Sequence, residues 1–329
     1  MQNLVSILIP TYNAAKRIAE TVESAINQTW PRKEIIIVDD GSTDNTVEII
    51  SKYESNSLKI IRQENMGGPA ARNKALANAQ GNFIQWLDHD DILAPDKIFN
   101  QLTHGQYDGN SKILLSGSFG KFFNRREKAT FWPDSLWKNL DPIDYFLIKF
   151  TENKWIHPSV WLVSRKLTDM VGPWLELRNP NDDGEYFCRI VAKCEKIIFI
   201  PQAKSFFRIG NFKSMSHDRS KEALEALFKS HVECINHFRS IEDSERTRTA
   251  CLKYLQCGLI EFYPEQTDIL EKIENLANEL GGTLVRPELD WKYSPIKYLF
   301  GWQVAKRMQR LSRALKTKII SYWIESILS

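Results

Sequence analysis

In the stretch Gln85-Trp-Leu-Asp-His-Asp-Asp-Ile-Leu-Ala-Pro95, three carboxylates, Asp88, Asp90 and Asp91, fall within four positions at the end of an apolar run. Like charges so close repel one another, so the cluster alone is a poor phosphate site. Bridged by a hard divalent cation, Mn2+ or Mg2+, it becomes a good one. The expected chemistry is a sandwich of carboxylate, metal and diphosphate.

Three further loops carry polar residues of the same kind: Pro10-Thr11-Tyr12-Asn13, Asp39-Asp40-Gly41-Ser42-Thr43-Asp44, and Asn65-Met66-Gly67-Gly68-Pro69-Ala70-Ala71-Arg72-Asn73. Each has an ordinary structural reading, since Asp-Gly makes turns, Asp, Ser and Thr cap helices, and Gly-Gly-Pro punctuates. No Gly-x-Gly-x-x-Gly and no Gly-x-x-x-x-Gly-Lys-Ser/Thr occurs, so a dinucleotide or P-loop site lacks its phosphate-binding glycines. Nucleotidyl transfer is disfavoured because Pro10-Thr11-Tyr12-Asn13 supplies neither a Gly-rich loop nor a lysine after the first strand.

The elements that must position these loops are legible from apolar spacing. Val5 to Ile9, Glu34 to Val38, Leu58 to Arg62 and Asn82 to Leu87 read as strands that are apolar on both faces, as a parallel sheet between helix layers requires. Ala15 to Asn27 and Asp44 to Tyr53 have helical spacing, and Gly68-Pro69 opens a third helix through Ala79. This alternation predicts an α/β fold, with a mostly parallel sheet flanked by helices. In such a sheet ligands bind beyond the carboxyl ends of the strands, so all four loops point to one rim. Further strands are expected at Ile113 to Phe119, Ser159 to Val163 and Lys196 to Ile200, the last closed by Pro201. From about residue 220 the pattern turns helical, which predicts two units, 1–220 and 221–329.

The chain has 329 residues, 43% of them hydrophobic, and a net charge of +3, enough for a large core and too balanced for a nucleic-acid binder. The short apolar run at the N-terminus ends at Pro10 without a basic flank, so neither a signal peptide nor a membrane span is expected, and the cytoplasm is the expected compartment. Five cysteines without a Cys-x-x-Cys pair predict buried, reduced thiols. Between Lys292 and Lys318 every charged residue is basic. Val304, Met308, Leu311, Leu315, Ile319 and Tyr322 share one helical stripe, with Lys306, Arg310 and Arg313 opposite and Trp291, Trp302 and Trp323 nearby. A helix lying in an anionic membrane surface through 292–323 fits this pattern, and so does a helix packed on the protein with its basic face in solvent.

The order Ser-Ile-Leu-Ile-Pro-Thr-Tyr-Asn, Ile-Ile-Ile-Val-Asp-Asp-Gly-Ser-Thr-Asp, Asn-Met-Gly-Gly-Pro-Ala-Ala-Arg-Asn and Leu-Asp-His-Asp-Asp resembles the inverting glycosyltransferases of family 2, which have the GT-A fold, over about the first 220 residues. The resemblance implies a nucleotide-diphosphate sugar donor, UDP-linked, and transfer to a hydroxyl of a glycan or lipid-linked acceptor. A catalytically silent nucleotide-sugar-binding protein of the same fold is the alternative. By the same resemblance, Pro10, Thr11 and Tyr12 line the nucleoside pocket, Asp40 accepts from the uracil imide and Asp39 helps hold the loop. Arg72 lies near the diphosphate or nucleoside. Asp90 is the metal ligand, Asp88 contacts ribose or sugar, and His89 occupies a variable position and is not assigned as a ligand.

Inversion needs a base to take the acceptor proton as the hydroxyl attacks. The family places it in an acidic pair opening a helix, and Asn181-Asp182-Asp183-Gly184-Glu185 fits, with Asp183 as the base and Asp182 in place of the usual glutamate. Helix capping is the plainer role for both acids. Arg208 matches a family arginine that reaches the diphosphate, but Gly210 stands where a histidine is usual; Lys213 or His217 is the nearby replacement.

Overall fold

The protein was analysed as a computed structural model, which describes residues 2–105, 107–177, 179–210 and 218–328; from residue 310 onward it describes side chains only at 311, 312, 315 and 319. The strands are β1 (Val5–Thr11), β2 (Lys33–Asp39), β3 (Leu58–Arg62), β4 (Phe83–Trp86), β5 (Ile92–Leu93), β6 (Ile113–Phe122), β7 (Thr130–Phe131), β8 (Val163–Ser164) and β9 (Lys196–Arg208). The helices are α1 (Ile18–Ile26), α2 (Thr46–Ser51), α3 (Gly68–Asn78), α4 (Lys97–Thr103), α5 (Pro142–Glu152), α6 (Arg165–Val171), α7 (Asp182–Lys193), α8 (Lys221–Arg239), α9 (Glu245–Phe262), α10 (Thr267–Glu279) and α11 (Ser294–Leu328).

One sheet has the order β3-β2-β1-β4-β8 and a second the order β5-β9-β6-β7. In the first, β1 pairs in parallel with both β2 and β4, and β2 with β3. Every residue of β1 is buried, as a central strand covered on both faces demands. The carboxyl ends of β1, β2 and β4 therefore open onto one rim.

Two strands differ from their sequence reading. Where Ser159 to Val163 reads as a strand, Pro158–Val160 is a single 3-10 turn, and only Val163–Ser164 pairs with β4. Pro158 has no N–H for a ladder, and the Ser159 amide donates instead to His157 Nδ1. Nor does β9 stop at Pro201. It runs on to Arg208 through a register shift opposite Gly117 and Ser118, a position where proline's missing N–H is tolerated. A Cβ on Gly117 would meet the Ala203 carbonyl oxygen, so only glycine admits this shift. The extension carries Arg208 back under the Asp88 to Asp91 turn.

The main core lies between the first sheet and helices α5, α7, α8 and α9, with Phe146 stacked on Phe238 and Phe150 on Tyr254. Helices beyond residue 220 thus share a core with the elements that carry the site. All five cysteines are free; Cys257 is exposed, unlike the other four. The stripe of Val304, Met308, Leu311, Leu315 and Ile319 faces solvent. Lys306, which the sequence pattern places on the solvated face, is buried and paired with Glu265 at 3.0 Å. The described residues contain no helix long and apolar enough to cross a membrane.

Candidate active site

The first two loops are tied to each other before any ligand is considered. Asn13 takes a left-handed conformation (φ 47°) and accepts from the Thr43 amide at 2.8 Å, while its own amide donates to Ser42 Oγ at 2.9 Å. Gly41, at φ +76°, sits so close to Asn65 that a Cβ would come within 2.9 Å of its amide nitrogen. Asp40 fastens the third loop: its carboxylate accepts from Gln63 Nε2 at 2.8 Å, the Met66 amide at 2.9 Å and the Gly67 amide at 2.8 Å. Asp39 accepts from the Ser42 amide through Oδ2, while its buried Oδ1 has no hydrogen-bond partner among the described residues. Among the same residues Thr11 Oγ1 is likewise buried without a partner, and Tyr12 is 44% exposed beside it. Unpartnered buried acceptors at a rim are groups for a ligand to satisfy.

Arg72 is the hub of the site. It leaves α3 to bridge Asp88 Oδ1 at 2.9 Å and Asp182 Oδ2 at 2.6 Å, with its guanidinium 4.5 Å above the ring of Trp174. That ring stacks on Tyr186 at 4.0 Å, and Trp86 meets it edge-on at 5.2 Å. A flat, charged fork lying on an aromatic floor suits arginine and no other residue. Motifs 16 and 110 residues from Arg72 are thereby held together.

The acids separate by environment. Burial alone would lift the Asp88 carboxyl, but Arg72 and then His157 outweigh it and hold the group below its usual value. Asp91 is fully buried, and burial followed by the charges of Asp90 and Asp88 pushes it well up. Asp182 rises through burial in spite of its ion pair. Asp183, at the first turn of α7, is lifted to about 6 by burial and then by Asp182. Arg72 and the Asp183 amide occupy both oxygens of Asp182, whereas among the described residues Asp183 accepts only the Gly184 amide, through Oδ1. Of the pair, Asp183 is the one with an oxygen to spare.

His157 is a site residue that sequence reasoning passed over. Its Nε2 lies 3.0 Å from Asp91 Oδ2 and 3.9 Å from Asp88 Oδ2, and its Nδ1 accepts from the Ser159 amide. That acceptance places the neutral ring's proton on Nε2, and burial pushes the imidazole down to about 4. Only the position of His157 just before Pro158-Ser159-Val160 could have drawn attention to it. Asp88, Asp91 and His157 each bring a candidate ligand atom within 4.8 Å of the others, a set of hard oxygens suited to a divalent cation, to which the imidazole would add Nε2 only on losing its proton. Asp90 lies outside that group but on the same turn.

Arg208 is placed beneath the acidic turn. Its amide donates to Asp91 Oδ1 at 2.9 Å, its Nε to the Asp90 carbonyl at 2.9 Å, and its guanidinium reaches Glu20 at 2.5 Å and the Phe123 carbonyl at 3.0 Å. Here it braces the turn from below. Lys213 and His217 lie outside the described residues.

Comparison with known proteins assigns the chain to a family. Residues 6–170 match the model of glycosyl transferase family 2. A Bacillus subtilis glycosyltransferase named for teichuronic acid biosynthesis, TuaG, is 46% identical over 139 residues, 39% of this chain and 55% of that protein, so the match spans about half of the relative's length. A Haemophilus influenzae glycosyltransferase is 32% identical over 239 residues, 67% of this chain and 85% of that one. Among solved structures, S. aureus TarS 1-349 in complex with UDP-GlcNAc superposes with a TM-score of 0.67 at 19% identity, covering 83% of this chain and 81% of that one. The GT-A fold, the four rim motifs in order and these relatives together make the chain a member of glycosyl transferase family 2.

Proposed function

We propose that the protein transfers one sugar, with inversion, from a UDP-sugar to a hydroxyl of a glycan or lipid-linked acceptor. The observation that carries this reading is the Arg72 bridge, which sets the Asp88 to Asp91 turn beside the acidic start of α7 on one rim. In this reading the nucleoside lies over Pro10, Thr11 and Tyr12, where Thr11 Oγ1 and Asp39 Oδ1 are unsatisfied. Asp40 acts by holding the loop that closes the pocket. The acceptor oxygen bonds to the anomeric carbon as the bond from that carbon to the diphosphate breaks. The acceptor proton passes to Asp183, and the bonding pair leaves with the diphosphate. Asp90 would hold Mn2+ or Mg2+, whose contribution is neutralisation of charge on the departing diphosphate, while Asp88 would contact the ribose or sugar. Donor chemistry is assigned to residues 1–220.

Asp90→Asn should abolish the Mn2+-dependent part of UDP binding measured by calorimetry. Affinity equal to wild type would remove Asp90 from the metal site.

We further propose that α11 rests on an anionic membrane surface. The exposed stripe of Met308, Leu311 and Leu315 and the absence of any acid between Lys292 and Lys318 support this. Removing the whole tail would strip Glu265 of Lys306, so the cleaner test is Leu311→Glu with Leu315→Glu. Co-sedimentation with phosphatidylglycerol vesicles should drop at least tenfold with thermal stability intact; undiminished co-sedimentation would refute the membrane reading.

A further inference from the structure

Beside the rim lies a groove of about 310 Å³ that the donor chemistry does not use. Its walls include Phe119 and Lys121 from β6, Trp132 and Asp134 from the loop after β7, and Lys154 and Trp155 after α5. Asn153 ends α5 in the left-handed conformation (φ 51°), turning the chain so that Lys154 and Trp155 follow at the groove. Two large rings stay in contact with solvent there, Trp132 at 64% and Trp155 at 39% exposure. Tryptophans left exposed at the wall of a cleft offer flat apolar faces for a ligand with flat apolar faces of its own.

The groove joins the site through packed rings. Trp155 lies 6.1 Å from the ring of His157, which stands 3.9 Å from Asp88. Phe207 buttresses both rings, at 5.7 Å from Trp155 and 4.4 Å from His157. The charge is also informative. Lys121 Nζ sits 5.4 Å above the Trp155 ring, and Lys154 lines the same wall. Among the described residues the only acid lining the groove, Asp134, uses Oδ1 to accept from the Leu136 amide and so caps its own turn. Neither lysine forms an ion pair with it. The groove thus pairs aromatic faces with two cations and leads towards the carboxylates of the rim.

We infer that this groove is the acceptor subsite and that it takes a saccharide chain bearing phosphate or carboxylate groups, with its pyranose faces on Trp132 and Trp155 and its anions at Lys121 and Lys154. The inference rests on the glycosyl-transfer reading above, which assigns a site for the donor and leaves the acceptor's place open. A chain lying there would approach the rim past His157, on the side where Asp88 stands. A volume of about 310 Å³ is at the small end of ligand sites, room for a sugar unit or two and not for a folded partner.

Titration of the full chain with tetragalacturonate, maltotetraose monophosphate and uncharged maltotetraose, followed by tryptophan fluorescence and calorimetry, tests this. At least one of the two anionic probes should bind at least tenfold more tightly than maltotetraose, and which of them does so identifies carboxylate or phosphate as the recognised group. Trp132→Ala and the double variant Lys121→Ala with Lys154→Ala should each weaken that binding about tenfold or more and leave UDP affinity as in wild type. Equal binding of the uncharged tetrasaccharide, binding of none of the three, or affinities unmoved by the variants would overturn the assignment. Failure of the wild-type chain to bind UDP with Mn2+ would count against the donor reading alone, because saccharide binding to the groove is read separately.

Discussion

Replacing Asp183 by Asn is expected to lower turnover of a UDP-sugar by about 10³-fold, in the middle of the ~10²–10⁴ range for a lost general base. Donor affinity should stay within about twofold if Asp183 serves the acceptor, because among the described residues its carboxylate accepts only the Gly184 amide and holds no other element in place. UDP release with water as acceptor gives kcat, and calorimetry gives binding. Equal losses in both would make the residue structural. A pH profile supplies an independent check. With its carboxyl lifted to about 6, the base is ionised above that pH and protonated below it. kcat/KM should therefore be flat above pH 7 and fall tenfold per unit below about 6. A profile level down to pH 5 would exclude Asp183 as the base.

Arg72→Ala should be the most destabilising single change at the site. It leaves Asp88 and Asp182 without their shared cation in a poorly solvated place, a situation that costs ~3–5 kcal/mol for a buried pair. Asp88 keeps 28% side-chain exposure, so about 3 kcal/mol is the expected loss in urea unfolding. Lysine should rescue it poorly, since a point charge cannot form two directed bonds to separate carboxylates while lying flat on Trp174. Adding Asp182→Asn to Arg72→Ala should recover part of the loss, a coupling that a double-mutant cycle measures. Removing the cation also takes away a charge that holds Asp183 down, so the acid limb of the pH profile should move to higher pH. An unchanged limb would mean that Arg72 does not face the base.

Much of the donor half was legible without coordinates. The strands from Val5 to Trp86 are short runs rich in apolar residues, and helices of amphipathic or punctuated pattern separate them, so spacing located each to within a few residues. The loops at their carboxyl ends carry the polar residues, which is why the rim could be drawn from the sequence. Local pattern was less useful where tertiary pairing decides. β9 passes through Pro201 because Gly117 admits a register shift across the sheet, and no window around Pro201 contains that information. The α11 stripe was legible as a stripe. That Lys306 turns inward to Glu265, though, depends on a residue 41 positions away.

By itself the sequence determined the family, the α/β architecture and the set of acids at the rim, because these depend on residue type and short-range spacing. Only the tertiary structure decided how those acids differ in environment. Asp88 is held ionised by Arg72 and Asp91 is buried against His157. Asp182 is occupied by Arg72, which leaves Asp183 with an oxygen to spare. The physical reason is that a carboxylate's behaviour is set by the charges and solvent within a few ångströms of it. Here those neighbours come from α3, α7 and the segment around His157, which lie far apart along the chain.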